Sequence, residues 1–258
     1  METRISSRQS PEKIELERYR KELAGVSEQL ADRELELATL QRNLAAFEHA
    51  YLSTVGKKQA ELDAIEAEVA RILQVIDPDD EHLKSNAEEW SKRASESAEA
   101  AGSAIDEPRG SKSQPSETLR ELYKTAARQI HPDLATTDKE RKLRERLMAD
   151  VNDAYERGDG ERIERIIDEW RHAPEQVTGE DIGSEIVRVI RQINQVRSRI
   201  AKVDVEIERL SASALAVLKA KCDEAAEQGR DLLAEMRRTL GSQIESAMIR
   251  LESLKAHP

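Results

Sequence analysis

Apolar residues recur at steps of three and four along most of the chain. From about Glu12 the series runs Leu16, Tyr19, Leu23, Val26, Leu30, then Leu37, Leu40, Leu44, Phe47 and Tyr51. This is the a/d spacing of a coiled coil. Arg33 occupies one seam position, where its long stem must snorkel past the apolar stripe or weaken it. The register then slips by four residues, from Tyr51 to Val55, and resumes as Leu62, Ile65, Val69, Ile72 and Ile76. A four-residue insertion is a stutter that locally unwinds the supercoil; Gly56 at this point keeps a hinge or tight turn open as the alternative. Pro78 ends the stretch, because it lacks an N–H and clashes with the preceding turn.

A second heptad series begins at Ser184. Ile186, Val189, Ile193, Val196, Ile200, Val203, Ile207 and Leu210 are mostly β-branched and unbroken. Beyond Ser211-Ala212-Ser213-Ala214 the seam weakens but is expected to continue through Leu218, Cys222, Ala225, Leu232, Met236, Leu240, Ile244, Met248 and Leu251. Gly229 and Gly241 lower helix propensity there.

Between the two series the pattern changes. Residues 79–117 are rich in Ser, Ala, Glu, Gly and Pro; about 81–101 reads as partly helical, and 104–115 as a flexible linker. Residues 116–172 form the candidate globular unit. Ser116 is a plausible N-cap. After it Leu119, Leu122, Tyr123, Ala126 and Ile130 make one helical face, with Arg120, Lys124 and Arg128 as a basic stripe beside it. A second helix is predicted from Asp138 to about Arg157, with Leu143, Leu147, Val151 and Ala154 facing the first and Met148 and Tyr155 alongside. Gly158 is placed to close it as a C′ glycine. A third helix, Glu161 to about Arg171, presents Ile163, Ile166, Ile167 and Trp170. Residues 172–183, with Pro174, Gly179 and Gly183, read as a second break.

Composition fits this picture. Aromatic residues are 3% and charged residues 36% of the 258 positions, which suits long helices better than one large core. The net charge of −11 disfavours non-specific binding to nucleic acid or an anionic membrane. The basic stripe does not reverse this, since Glu117 and Glu121 are interleaved with it. Cys222, the single cysteine, cannot form an internal disulfide and reads as a small buried apolar residue. No thiolate zinc site is possible, and a reducing, cytoplasmic setting is expected. No signal peptide or membrane span is evident.

The residues with candidate chemistry are His131-Pro132-Asp133, in the break between the first two helices of the central unit. No Ser or Cys nucleophile and no second histidine accompanies them, so neither catalysis nor metal binding is expected; His49, His82, His172 and His257 read as solvated. The stretch from Leu119 to Asp133, Leu-Arg-Glu-Leu-Tyr-Lys-Thr-Ala-Ala-Arg-Gln-Ile-His-Pro-Asp, resembles helix II and the HPD loop of a J-domain, as in DnaJ-type co-chaperones. Tyr123 stands eight residues before His131, as is common in J-domains, and Val151-Asn152-Asp153-Ala154-Tyr155 resembles the end of helix III. The Ala-Tyr-Glu-Arg-Gly-Asp ending at Asp159 more loosely suggests a bacterial group joining such a domain to coiled coils. The resemblance covers about 116–157. No Tyr-Tyr-x-x-Leu-Gly helix precedes it, Gln129 and Ile130 replace the usual basic and aromatic residues, and no Gly/Phe-rich or Cys-x-x-Cys region follows.

The resemblance implies a docking role. His131, Pro132 and Asp133 would stimulate the ATPase of a DnaK-type chaperone, with Arg120, Tyr123, Lys124 and Arg128 on the docking helix. Pro132 would stiffen the loop and lower the ordering cost of docking; Asp133 would offer a carboxylate to a partner arginine. The expected fold is all-α, with two long coiled-coil arms flanking a small J-domain-like hairpin. The expected order is an N-terminal coiled coil over 1–77, a polar linker over 78–115, the J-like unit over 116–172, a linker over 173–183 and a C-terminal coiled coil over 184–258. The arms would self-associate or bind a helical partner. The expected function is that of a co-chaperone without cofactor; the alternative is a coiled-coil scaffold whose J-like unit stimulates nothing.

Overall fold

The computed structural model describes residues 10–103, 115–171 and 182–256, and all of their regular structure is helical. The expected linkers over 104–114 and 172–181, the stretch 1–9, and His172 and His257 lie outside the described residues. The helices are α1 (Pro11–Tyr51), α2 (Lys57–Ile76), α3 (Glu81–Ser103), α4 (Glu117–Ile130), α5 (Asp138–Arg157), α6 (Gly160–Arg171), α7 (Ile182–Ser211), α8 (Ala214–Glu227) and α9 (Leu232–Ala256). None is long and apolar enough to cross a membrane. The chain divides into two compact units, one of residues 1–43 with 110–212 and the other of 44–109 with 213–258. The N-terminal heptad stretch is helical without a break from Pro11 to Ile76, and its residues are shared between the two units.

The first unit is built on α4, α5 and α6, which pack pairwise. Local chemistry sets their ends. Ser116 Oγ accepts from Leu119 N at 3.1 Å, starting α4. Thr137 Oγ1 accepts from Glu140 N at 3.2 Å, starting α5. Gly158, at φ 78°, ends α5 in the left-handed region; Gly158 N donates to Tyr155 O and Asp159 N to Ala154 O, at 3.1 and 2.8 Å. The core holds Tyr123, Ala126 and Ile130 of α4, Val151 and Tyr155 of α5, and Ile163, Ile166 and Trp170 of α6. The rings of Tyr123 and Tyr155 lie 4.7 Å apart at 55°. Leu122, Leu143 and Leu147, expected in the core, are only partly buried at its edge.

This core is not complete within 116–171. Ala31 of α1 is buried in it, and Leu35 and Ala38 pack against it. The residues expected as an arm beside the small unit form one of its walls. Farther along, Leu16, Val26 and Leu30 of α1 bury against Val189, Ile193 and Val196 of α7, joined by Leu134. Arg20 pairs with Glu185 and Glu34 with Arg199, so the two helices run parallel. The seam of the first heptads is thus filled within the chain. Arg33, at its seam position, turns outward to Glu36 and Asp204 at 2.8 and 3.2 Å.

In the second unit a π turn over Leu52–Gly56 leads into α2. Lys57 N donates to Leu52 O, the wider i→i+5 bond that absorbs the four-residue slip. Gly56 is right-handed at φ −58°, so there is neither a hinge nor a tight turn. Glu81–Ser103, expected as polar linker with partial helix, is the 23-residue helix α3 packed on α2. Pro78 separates the two, and Asp80 Oδ1 caps α3 by accepting from His82 N at 2.8 Å. Helix α9 packs on α2 and on α8. The expected continuous C-terminal seam is interrupted twice. Ser213 Oγ caps α8 by accepting from Ala216 N at 3.2 Å, and Gly229, at φ 74°, lies in the turn before α9. Cys222 is half-buried, and burial raises its thiol pKa.

Candidate functional site

The His131-Pro132-Asp133 break is a short 3-10 turn, Pro132–Leu134, between α4 and α5. His131 caps it: Asp133 N donates to His131 Nδ1 at 3.1 Å. Pro132 at the first position fits its fixed φ and needs no donor. Leu134 N and Ala135 N close the turn on His131 O and Pro132 O.

Three elements hold this turn. His131 is only 3% exposed, and its Nε2 lies 3.2 Å from Oε1 of Glu34 on α1. With Nδ1 accepting, Nε2 carries the proton and donates to the carboxylate. Arg199 Nε of α7 donates to the same oxygen at 2.7 Å. Gln192 Nε2, also of α7, donates to Leu134 O at 2.8 Å. From α5, Arg144 Nη1 donates to Gln129 O and His131 O at 2.9 and 3.3 Å. Its Nε and Nη2 bind Glu140 Oε1, and its guanidinium lies 4.6 Å from the Trp170 ring centroid.

The electrostatics follow from these contacts. Burial pushes the Glu34 carboxyl up, but the hydrogen bonds from His131 and Arg199 outweigh it, and the net pKa lies below the ordinary value. The Arg199 guanidinium is raised by the same bond against the opposing effect of burial. Tyr123 is pushed up by burial and by the Glu34 charge, so its hydroxyl is a neutral donor to Asn152 Oδ1 at 2.8 Å.

The basic stripe meets the same helix. Lys124 Nζ lies 2.8 Å from Asp32 Oδ1 and 3.8 Å from Glu28 Oε1. Arg128 Nη1 donates to Glu28 Oε2 at 2.7 Å. Asp32 holds the Lys124 ammonium above its ordinary pKa. The structure therefore brings Lys124, Arg128 and His131 against carboxylates of α1, Glu28 and Asp32 on one side of its core-packed stripe and Glu34 on the other. Arg120 is apart from them, lining a groove with Asp32, Glu36 and Thr39, its Nε buried without a hydrogen-bond partner. Tyr123, expected on the docking helix, is a core residue at 1% exposure. Pro132 and Asp133 stay half-buried.

Glu34, Arg199, Gln192 and Arg144 carry no motif and were missed in the sequence. One signal was present: Glu28 and Asp32 are spaced i, i+4, as are Lys124 and Arg128, so the two pairs can match across facing helices. Both ring nitrogens of His131 are engaged, so in this arrangement neither is free to take a proton from a substrate. Among the described residues no cluster of His, Cys, Asp and Glu is placed to hold a metal ion. No protein-family model matches the chain, and no curated protein or solved structure is significantly similar to it.

Proposed function

We propose that α4, the His131-Pro132-Asp133 turn and α5 form a J-domain-like hairpin, and that the chain is a co-chaperone or adaptor. The hairpin docks on a DnaK-type chaperone and stimulates its ATPase. Helices α1 and α7 fill each other's seam and build the module, and the remaining apolar positions of the coiled-coil stretches serve a helical partner or a second copy. The setting is cytoplasmic, with no cofactor.

One observation carries this reading. Lys124, Arg128 and His131 are engaged together by carboxylates of a single helix, Asp32, Glu28 and Glu34. A partner presenting carboxylates could engage the same three groups at once. Ala31, Leu35 and Ala38 of α1 complete the core on which this hairpin rests.

A second reading has its own support. His131, at 3% exposure and with both nitrogens bonded, is placed as a structural histidine would be. On that reading the chain is a scaffold that stimulates nothing. Steady-state ATP hydrolysis by a DnaK-type chaperone separates the two. The full chain is added as wild type and as Glu28→Lys/Asp32→Lys, each with and without His131→Gln. Stimulation lost on His131→Gln in either background supports the co-chaperone reading. Rates that His131→Gln leaves unchanged in both overturn it.

A further inference from the structure

We infer that the α1 segment around Glu28, Asp32 and Glu34 is an autoinhibitory latch, closed over the basic stripe and the His131 turn, which an acidic partner surface must displace. This rests on the co-chaperone reading and adds a regulation to it.

The contacts on α1 are those a partner would need. Lys124, Arg128 and His131 have their charge and hydrogen-bonding capacity taken by α1 carboxylates. A partner and α1 cannot both occupy them, so binding is competitive, and the partner shifts the equilibrium only by its preference for the open state. The latch has an outer and an inner part. The outer pairs are at the surface: the Glu28 and Asp32 side chains are 44% and 55% exposed. Pairs of this kind contribute little each and exchange readily. The inner part is the buried Glu34, with Arg199 and His131 on one oxygen. Breaking it leaves a carboxylate that must be solvated or rebound, which makes the closed state definite. The half-buried Pro132 and Asp133 offer a first contact before His131 is released. Opening exposes Ala31, Leu35 and Ala38, which pack on the core between Glu28 and Asp32 on one side and Glu34 on the other, and separates Glu34 from Arg199 of α7, so the partner's contacts must outweigh both.

The test uses the full chain as wild type, as Glu28→Lys/Asp32→Lys, and as a swap that adds Lys124→Glu/Arg128→Glu. Modification by diethylpyrocarbonate is followed by peptide mass spectrometry at His131, with the exposed His82 as internal reference. In the wild type, His131 should react at least several-fold more slowly than His82. Charge reversal should bring its rate toward that of His82, and the swap should restore protection. Because unfolding alone would also expose His131, the swap is decisive: protection returns only if these pairs supplied it. The reversed chain should also stimulate a DnaK-type ATPase several-fold more than the wild type. If His131 reacts as fast as His82 in the wild type, or stays equally protected after reversal, or stays exposed in the swap, the latch is overturned. Equal, His131-dependent stimulation by wild type and reversed chains overturns the latch and leaves the docking reading standing. Exposure of His131 on reversal with no stimulation by any chain overturns the docking reading, and the latch with it.

Discussion

His131 Nε2 lies 3.2 Å from Glu34 Oε1, across 97 residues of sequence, and both side chains are almost fully buried. A turn residue is held by a carboxylate from a distant helix. Glu34 thus ties α1, α7 and the His131 turn together.

Its charge should show in the pH dependence of stability. The folded Glu34 carboxyl lies below its ordinary pKa of 4.5, so the folded state favours the ionised form. The stability it contributes is complete above that ordinary value and is lost as pH falls through the lower, folded one. Urea midpoints of wild type and Glu34→Gln should differ most at neutral pH, by about 1–2 kcal/mol, and converge in acid. Parallel curves across the acid range would contradict this assignment.

Arg144 fastens the turn from the other side. Arg144→Ala removes donors to Gln129 O and His131 O and the contact with Trp170. A loss of about 2–3 kcal/mol is expected in chemical denaturation, with Arg144→Lys recovering only part, because an ammonium cannot reproduce the planar donor set. Full recovery by lysine would mean that charge alone matters there.

Gly158→Ala tests the end of α5. The position is left-handed, and a Cβ would lie 3.4 Å from Arg42 Nη2, whose Nη1 donates to Tyr155 O at 2.9 Å. A destabilisation of roughly 1 kcal/mol is expected from the backbone alone. An unchanged melting temperature would argue against this cap.

The three central helices and their caps were legible in the sequence because their signals are local. Ser116, Gly158 and the apolar spacings fix α4, α5 and α6 to within a residue or so of the observed ends. What covers them was not legible. Heptads report that a seam exists but not which helix fills it, and no motif marks Glu28, Asp32 or Glu34. Helix α3 was underread because it has no sustained apolar stripe; its Ala- and Glu-rich sequence relies on propensity and on packing against α2. The breaks at Ser213 and Gly229 carried cap signals that the apolar seam outweighed.

Tyr123→Phe separates the core from the His131 turn above it. It should lose the bond to Asn152 at about 1 kcal/mol, while His131 keeps its protection from modification. An equal loss of protection would place Tyr123 in the site and not merely beneath it.

The central claim is most directly tested by the affinity of the full chain for an immobilised, ATP-loaded DnaK-type chaperone, measured at low salt by interferometry. Glu28→Lys/Asp32→Lys is expected to bind roughly tenfold more tightly than wild type, because two exposed pairs become repulsive in the closed state. Adding His131→Gln to that chain should abolish the gain. Equal affinity of all three chains, or no binding by any of them, would contradict the account.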